Sequence, residues 1–120
     1  MLTKFKLKRK SKYKNKATQC DGFTFDSIVE RDYYVHLKAQ QKNNNVAMFL
    51  RQVPFHIVCN DESVCKYVCK YVCDFQVFYT DGLVEFVDVK GVETDIFKIK
   101  KKLVEAQYPI EIKLVRRGEF

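Results

Sequence analysis

The sequence predicts an α/β (α+β) protein in which a mixed central β-sheet is flanked by helices. Two segments carry helix-start signatures followed by apolar residues at helical spacing, and segments rich in β-branched and aromatic residues lie between and after them. Two consecutive predicted strands are apolar on both faces, as expected in the middle of a covered sheet. The chain has 120 residues, 47% of them hydrophobic, which suits one domain with a core.

Positive charge is concentrated at the start of the chain. The formal net charge is +7, and eight of the 22 basic residues but none of the 15 acidic ones fall within residues 1–16. We therefore expect a basic, flexible arm over residues 1–16 and a single domain over residues 17–120. Such an arm gains free energy by displacing counterions from a polyanion, although a solvated tail that only aids solubility would have the same composition. The arm residues expected to contact nucleic acid are Lys8, Arg9, Lys10, Lys12 and Lys14.

Other features of the sequence bear on the cellular setting. The basic start is not followed by an apolar run and no stretch is long and apolar enough to span a bilayer, so we expect no signal peptide and a cytoplasmic location. The five cysteines are odd in number and irregularly spaced, which does not favour a disulfide framework. Three of them recur at every fourth residue within residues 64–73. This segment is typical of a strand, on which such cysteines are roughly 13 Å apart, too far to share one zinc ion.

The first helix is predicted from a capping signature. Asp21-Gly22 marks a turn between two short extended pieces within residues 18–25. Ser27 followed three residues later by Glu30 is a capping box, so a helix should begin here and end in the polar run of residues 40–45. Its buried stripe is predicted from the four-residue spacing of Val29, Tyr33 and Leu37.

The rest of the chain is predicted as strands with one further helix. Residues 46–50 and 53–58 are two extended pieces separated or kinked near Pro54, and residues 60–63 are a loop. Two long strands, at about 65–79 and 83–90, surround the turn at residues 80–82. Thr94 and Asp95 cap a helix to about Gln107, and residues 110–114 form a last strand. In this helix Ile96, Ile99, Leu103 and Ala106 are predicted to face inward, and Lys98, Lys101 and Lys102 outward.

Two aspartates within apolar strands are the first candidates for chemistry. Asp74 and Asp88 lie on the two arms of the predicted hairpin, and burying an unpaired charge is costly. A two-residue turn would place their carboxylates on opposite faces of the sheet. A three-residue loop with Gly82 in the left-handed region would instead set Asp74 opposite Asp88, with Lys90 two residues along on the same face.

The second register would create a cation site beside a lysine. Two carboxylates that face each other repel, and a divalent cation between them would remove the repulsion. Oxygen ligands suit Mg²⁺ or Mn²⁺, which can polarise a phosphate oxygen and activate water for phosphodiester hydrolysis. Lys90 could orient or deprotonate that water and offset charge in the transition state. Carboxylates in solvated salt bridges with Lys90 are the alternative.

The pattern resembles the PD-(D/E)XK nuclease superfamily. The resemblance rests on Asp74, on Asp88-Val89-Lys90 after a hairpin, and on a preceding helix that carries Glu30. More closely, the sequence resembles a small phage and prophage family of that superfamily, long catalogued only as a domain of unknown function. Cys73 stands where the proline of the motif would be, a departure that many members of the superfamily share. The stretches that carry the closer resemblance, over most of residues 12–112, are 22–27 with Glu30, 52–55, 71–75, 88–91 and the lysine-rich helix 97–108.

The resemblance implies a restriction-endonuclease-like core and a set of site residues. Asp74 and Asp88 would bind Mg²⁺ or Mn²⁺ together with the carbonyl of Val89, and Lys90 would act on the water or the transition state. Glu30 would reach the metal directly or through water, although its capping box already gives it a structural role.

The resemblance also implies a substrate and a setting. We expect a phage-encoded DNA endonuclease that acts in the cytoplasm of a bacterial host on branched or recombination DNA, in the manner of a Holliday-junction resolvase. Enzymes that cut junctions symmetrically tend to be dimers, so a homodimer is expected. Lys98, Lys101 and Lys102 would grip phosphates beside the cut, unless they are only the solvated face of an amphipathic helix. The alternative is a non-catalytic nucleic-acid-binding protein that uses the basic arm and these lysines, and RNA stays open because phosphate contacts carry no identity.

Overall fold

The chain folds as a mixed β-sheet with helices packed against it. The computed structural model describes residues 17–61 and 64–120. Among these residues, the sheet has the order β3-β4-β5-β6, in which β5 and β6 are parallel and the other neighbours antiparallel. The predicted α+β fold with a mixed, helix-flanked sheet is therefore confirmed. The elements are β1 (Thr18–Cys20), β2 (Phe23–Phe25), α1 (Ile28–Lys42), β3 (Val46–Asp61), β4 (Val64–Tyr79), β5 (Val84–Val89), α2 (Asp95–Gln107) and β6 (Ile112–Val115).

The predicted basic arm, residues 1–16, lies outside the described residues. The same holds for its five expected contacts with nucleic acid, Lys8, Arg9, Lys10, Lys12 and Lys14. Of the helices that the structure describes, neither is long and apolar enough to cross a membrane.

Helix α1 begins where the capping signature predicts. Ser27 is its N-cap, and the Ser27 side chain accepts a hydrogen bond of 3.1 Å from the backbone N–H of Glu30. The helix buries Tyr33 and Leu37 of the predicted stripe, and Val29 packs partly buried against the same cluster. Glu30 is also buried, although it is charged, and this unusual position makes it a candidate for function.

The first long strand is continuous where the sequence predicted two pieces. β3 extends from Val46 to Asp61 and includes two residues predicted to open a loop at 60–63. Pro54 keeps the register with β4, and the backbone is unusual at Gln52, which has a φ of 53°. The register itself shifts between Val46 and Met48 and between Ile57 and Val58. Pro54 is accommodated in β3, which lies at the edge of the described sheet, where proline is tolerated.

The β4–β5 hairpin has the three-residue loop. The backbone N–H of Tyr79 donates to the carbonyl of Leu83 at 2.8 Å, and Gly82 has a φ of 94°, in the region where glycine lacks the steric penalty of other residues. The antiparallel ladder that follows keeps this register, and its continuation places Asp74 opposite Asp88. The predicted register is therefore confirmed.

The core consists of two clusters that lie on opposite faces of the sheet. Neighbouring residues of β5 belong to different clusters: Val87 packs with the residues of α1, and Phe86 packs with those of α2. Because successive side chains of a strand point to opposite faces, the two helices cover the two faces of the sheet.

Strand β4 turns about its own axis at the position of Asp74. Tyr71 and Cys73 belong to the α2 cluster, whereas Phe75 and Val77 belong to the α1 cluster. These four residues occupy every second position, and a regular strand would keep all of them on one face. The turn coincides with the end of the β4–β5 ladder.

Helix α2 has the predicted ends but a different orientation. Thr94 is its N-cap, and the helix buries Phe97 and Val104. The predicted inward residues Ile96, Ile99 and Leu103 are instead 67%, 59% and 38% exposed, and Ala106 is exposed too. The prediction for these four residues is wrong, because α2 has two apolar rows and the shorter row faces the sheet.

The lysines of α2 explain why the buried row, Phe97 and Val104, is hard to recognise in the sequence. Lys101 was predicted to face outward, but it is half-buried and its Nζ lies 3.0 Å from Oε1 of Glu105. Lys100 is half-buried as well, and its Nζ donates to the carbonyl of Lys70 at 3.2 Å. These lysines interrupt the buried row in the sequence, although their aliphatic stems can cover apolar surface.

Candidate active site

A cleft of about 270 Å³ lies between α1, β4 and the segment that leads from β5 to α2. Three of the predicted catalytic residues, Glu30, Asp74 and Lys90, line this cleft. Asp88 lies opposite Asp74 and is only 1% exposed. The structure thus brings together the four predicted catalytic residues from α1, β4 and the end of β5. The remaining residues that line the cleft are Asp26, Ser27, Gly91, Val92 and Thr94.

The two aspartates hold the strands together where the backbone ladder ends. The backbone N–H of Asp74 donates to Oδ1 of Asp88 at 3.1 Å, and the backbone N–H of Val89 donates to Oδ2 of Asp74 at 2.9 Å. The hydroxyl of Tyr71 donates to Oδ2 of Asp88. The two carboxylates therefore lie side by side, and both oxygens of Asp88 accept hydrogen bonds from β4.

Several carboxylates lie close together at the cleft, where burial and neighbouring negative charge raise the pKa values of Asp74 and Glu30. Burial raises the pKa of Asp74, and the neighbouring charges of Asp88 and Glu30 raise it further, whereas the Val89 N–H lowers it. Burial also raises the pKa of Glu30, with the charge of Asp26 as the next cause and the charge of Arg51 acting in the opposite direction. The carboxylates are therefore close enough to destabilise one another when ionised. A proton or a bound cation would relieve this repulsion.

Two cations adjoin the carboxylates, and aromatic rings hold both. Nζ of Lys90 lies 4.7 Å from the centroid of the Phe97 ring. The guanidinium of Arg51 lies 4.1 Å from the centroid of the Phe25 ring, and its Nη2 is 3.9 Å from Oε1 of Glu30. The face of an aromatic ring attracts a cation, so each ring keeps the charge at the border of the cleft.

Three residues of this region were not assigned a role from the sequence. The side-chain amide of Gln52 donates to Oε1 of Glu30 at 3.2 Å, Arg51 approaches the same oxygen, and Tyr71 contacts Asp88. Gln52 falls within a stretch that carries the family resemblance, but only its positive φ and its contact point to a role. Tyr71 reaches Asp88 because β4 turns about its axis, and a regular strand pattern gives no sign of that turn.

The donors at the cleft are oxygen atoms, the ligands that Mg²⁺ and Mn²⁺ prefer. In the part of the chain that the structure describes, no three Asp, Glu, His or Cys side chains stand together as a metal-binding group. The oxygens of Asp88 accept hydrogen bonds from Tyr71 and from the Asp74 N–H. The donor set fits a hard cation by its chemistry, and its carboxylates would have to turn toward the cleft to hold one.

The lysines predicted to contact nucleic acid differ in their surroundings. Lys98 and Lys102 are exposed on α2, which begins at the cleft with its N-cap Thr94. Lys101 is paired with Glu105, as described above. Among the described residues, Lys101 therefore has a carboxylate partner, whereas Lys98 and Lys102 have none.

A larger groove of about 810 Å³ lies beside β5 and β6 and is lined by acidic and basic residues. Two of its three carboxylates have cationic partners: Glu105 pairs with Lys101 at 3.0 Å, and Glu85 pairs with Lys113 at 3.2 Å. Because these two charges are compensated, the groove lacks the crowding of carboxylates found around Asp74. The smaller cleft is the better candidate for chemistry.

Comparison with known proteins identifies the family of the chain. Residues 10–117 match the model of a family described as "Protein of unknown function (DUF1064)". No curated protein and no solved structure gives a significant match. The matched range contains both described helices, the sheet and the four residues gathered at the cleft. The chain therefore belongs to the DUF1064 family.

Proposed function

We propose that this chain is a divalent-metal-dependent endonuclease of the PD-(D/E)XK type that hydrolyses phosphodiester bonds of DNA. The observation that carries the proposal is that Glu30, Asp74 and Lys90 line one cleft and that the buried Asp88 accepts a hydrogen bond from the backbone N–H of Asp74. The pKa values of Asp74 and Glu30 are raised, and carboxyl groups with raised pKa values cluster at functional sites. The family match covers these residues but carries no activity of its own.

The cofactor we propose is Mg²⁺ or Mn²⁺. Asp74 and Asp88 would hold it with Glu30, and the resemblance adds the carbonyl of Val89. Bound there, the cation would supply Lewis-acid stabilisation of charge on the phosphate. Binding requires the proton to leave Asp74 and an oxygen of Asp88 to exchange one of its hydrogen bonds. The Tyr71 hydroxyl is the more readily displaced donor, because a side chain can rotate away from Asp88.

Lys90 would act on the water or the transition state. Its Nζ lies 4.7 Å from the centroid of the Phe97 ring, whose face attracts a cation. A cation held at the border of the cleft can orient the attacking water and offset the negative charge that develops on the phosphate. Removal of Lys90 should therefore lower the rate of cleavage more than the affinity for DNA.

The substrate class we propose is branched or recombination DNA, in the manner of a Holliday-junction resolvase. This part of the proposal, with a phage origin and action in a bacterial host, rests on the resemblance in sequence. Lys98 and Lys102 are exposed on the helix that begins at the cleft, where they could contact the phosphates on one side of the cut.

A cleavage assay tests the proposed activity. The full chain is incubated with Mg²⁺, and separately with Mn²⁺, on linear duplex, single-stranded, flapped and four-way-junction DNA. Metal-dependent cutting that falls at least about a hundredfold in Asp74→Asn and in Lys90→Ala is the expected result. An exposed carboxylate and an exposed lysine supply the controls, Glu111→Gln and Lys38→Ala, which should cut like the wild type.

A non-catalytic nucleic-acid-binding protein is the second candidate. It is favoured by the hydrogen bonds that occupy Asp88 and by the absence of a three-donor metal group among the described residues. In this case DNA or RNA binds without being cut, and Asp74→Asn leaves affinity unchanged. Under both functions, Lys98→Ala should reduce the slope of log affinity against log salt by about 0.9 if it contacts a phosphate of duplex DNA. The salt dependence therefore does not separate the two functions, whereas the cleavage assay does.

A further inference from the structure

The outer surface of α2 carries an apolar row that belongs to neither of the two core clusters of the described residues. Ile96, Ile99 and Leu103 are 67%, 59% and 38% exposed. Their spacing of three and four residues places them side by side along the helix. The opposite side of α2 already supplies Phe97 and Val104 to the core, so the row is not needed to attach the helix. Contiguous exposed apolar residues of this kind mark an interaction surface.

We propose that this row is the interface between two copies of the chain, which pair through their α2 helices in an antiparallel arrangement about a two-fold axis at Ile99. In such an arrangement the patch must be complementary to itself. At 100° per residue, Ile96 and Leu103 lie on one side of Ile99, while Asp95 and Lys102 lie on the other. These five residues define the α2 patch.

The α2 patch meets the requirement of self-complementarity in both of its halves. The two-fold axis brings a residue before Ile99 next to the residue that lies on the same side of the helix and at nearly the same distance after Ile99 in the second copy, three residues in one direction and four in the other. Ile96 therefore meets Leu103 of the second copy, and Asp95 meets Lys102 of the second copy. The axis generates each of these contacts twice, so the interface contains two apolar pairs and two ion pairs around a central isoleucine contact.

The charges also determine the direction of pairing and the kind of partner. A parallel arrangement would set Asp95 against Ile96 and Lys102 against Leu103 of the second copy, which leaves each charge beside an apolar side chain without a partner. Antiparallel helices place the positive end of one helix dipole beside the negative end of the other, which is favourable. A nucleic acid is a poor occupant, because the centre of the patch is apolar and Asp95 would face the phosphates. A second copy satisfies the apolar row and the charges together. In the dimer Lys102 pairs with Asp95 of the second copy, so Lys98 is the exposed lysine of α2 that stays available for phosphates.

The pairing has a consequence for the cleft. Thr94, the N-cap of α2, lines the cleft, and it precedes Ile99 by five residues. With a rise of about 1.5 Å per residue, the N-caps of the two copies would lie roughly 15 Å apart along the helix direction. Two clefts at this separation suit a substrate with two-fold symmetry. This consequence rests on the proposed nuclease activity, whereas the pairing itself does not.

Sedimentation equilibrium of the full chain over a wide range of concentrations tests the proposal without any substrate. The wild-type mass should rise from that of the 14.2 kDa chain toward twice this value. Ile99→Glu should raise the dissociation constant of the dimer at least tenfold, because it would bury two like charges at the axis. Val35→Glu, which changes an exposed apolar residue of α1, should leave the constant unchanged.

A charge exchange tests the antiparallel direction. Lys102→Glu should weaken the dimer several-fold, and the double variant Asp95→Lys, Lys102→Glu should bring the dissociation constant back toward the wild-type value. Circular dichroism of each variant reports whether α2 still folds, and the double variant remains informative if Lys102→Glu is unstable. A wild-type chain that is monomeric at every concentration overturns the proposal. A dimer that tolerates Ile99→Glu and the charge changes overturns it too, because the interface then lies elsewhere, and neither outcome bears on whether the cleft cuts DNA.

Discussion

Helices α1 and α2 are of similar length and are capped alike, yet they use their apolar residues differently. Both have an N-cap side chain that accepts from the third residue of the helix, Ser27 for α1 and Thr94 for α2. α1 turns its apolar stripe into the core and presents Glu30 to the cleft. α2 buries a short row and leaves the longer row exposed. The comparison teaches that an apolar stripe in a sequence identifies a surface to be covered, but not the partner that covers it.

The largest effect expected from this comparison is on stability. Leu37 of α1 is 1% exposed, whereas Leu103 of α2 is 38% exposed. Leu37→Ala should lower the free energy of unfolding by about 2–5 kcal/mol, because it leaves a cavity in the core. Leu103→Ala should lower it by less than about 1 kcal/mol when measured at a concentration at which the chain is monomeric. Urea unfolding of both variants supplies the comparison, and equal losses would mean that the outer row of α2 belongs to the core.

Two glutamines, one hydrogen-bonded to α1 and one on α2, extend the comparison of the two helices to function. Gln52 donates to Oε1 of Glu30, whereas the side chain of Gln107 makes two hydrogen bonds to the backbone of Val58, at 2.9 and 3.1 Å. Gln52→Ala should lower kcat by about tenfold with little change in KM for DNA, because Glu30 loses the group that orients its carboxylate.

Gln107→Ala is the matched change on the side of α2. It should lower the melting temperature, because it leaves the N–H and carbonyl of Val58 without the side chain that bonds them, but it should not change kcat. If steady-state kinetics show the same loss of kcat for both variants, Gln52 has no special relation to the cleft and acts only through the fold.

A smaller effect on the free energy of unfolding is expected from the charge of Asp74 in the metal-free protein. Its pKa is raised in the fold above the value of about 3.9 for an unfolded chain. Above about pH 4 the folded state therefore binds more protons than the unfolded state, and stability falls as pH rises from there through the raised pKa. Asp74→Asn removes this cost, so it should stabilise the metal-free chain at pH 8 by about 1 kcal/mol while it abolishes cleavage.

Melting temperatures in the presence of a chelator, at pH 5 and pH 8, measure this effect. The wild type should lose more stability than Asp74→Asn between the two pH values, and Glu111→Gln should behave as the wild type does. A wild type whose loss equals that of Asp74→Asn would contradict the crowding of charge around Asp74.

Short sequence signals predicted the starts of both helices and the register of the hairpin, because these features depend on interactions between residues that are close in the sequence. The capping box at Ser27 predicts the start of α1, and Thr94 predicts the start of α2. The three-residue loop predicts the register that places Asp74 opposite Asp88, because the geometry of a tight turn fixes the pairing of the strands it joins. The gathering of Asp74, Asp88 and Lys90 at one place follows from that register.

Features that depend on packing between distant segments could not be predicted in the same way. The turn of β4 at Asp74 and the positive φ of Gln52 arise where β3, β4 and α1 meet, and neither leaves a periodic signal in the sequence. The orientation of α2 was predicted wrongly because its exposed row has more apolar members than its buried row. A patch that pairs with a second copy of the chain looks like core to any pattern based on hydrophobicity.

The binding of Mn²⁺ tests the central claim most directly, because it requires no knowledge of the DNA substrate. Calorimetric titration of Mn²⁺ into the full chain at pH 8 should give one site per chain, and this site should be lost in Asp74→Asn and retained in Glu111→Gln. Affinity should fall as the pH is lowered, since the carboxylates must release protons to hold the metal. If the wild type does not bind the metal, or if Asp74→Asn binds it equally well, the cleft is not a cation site and the proposed nuclease is contradicted.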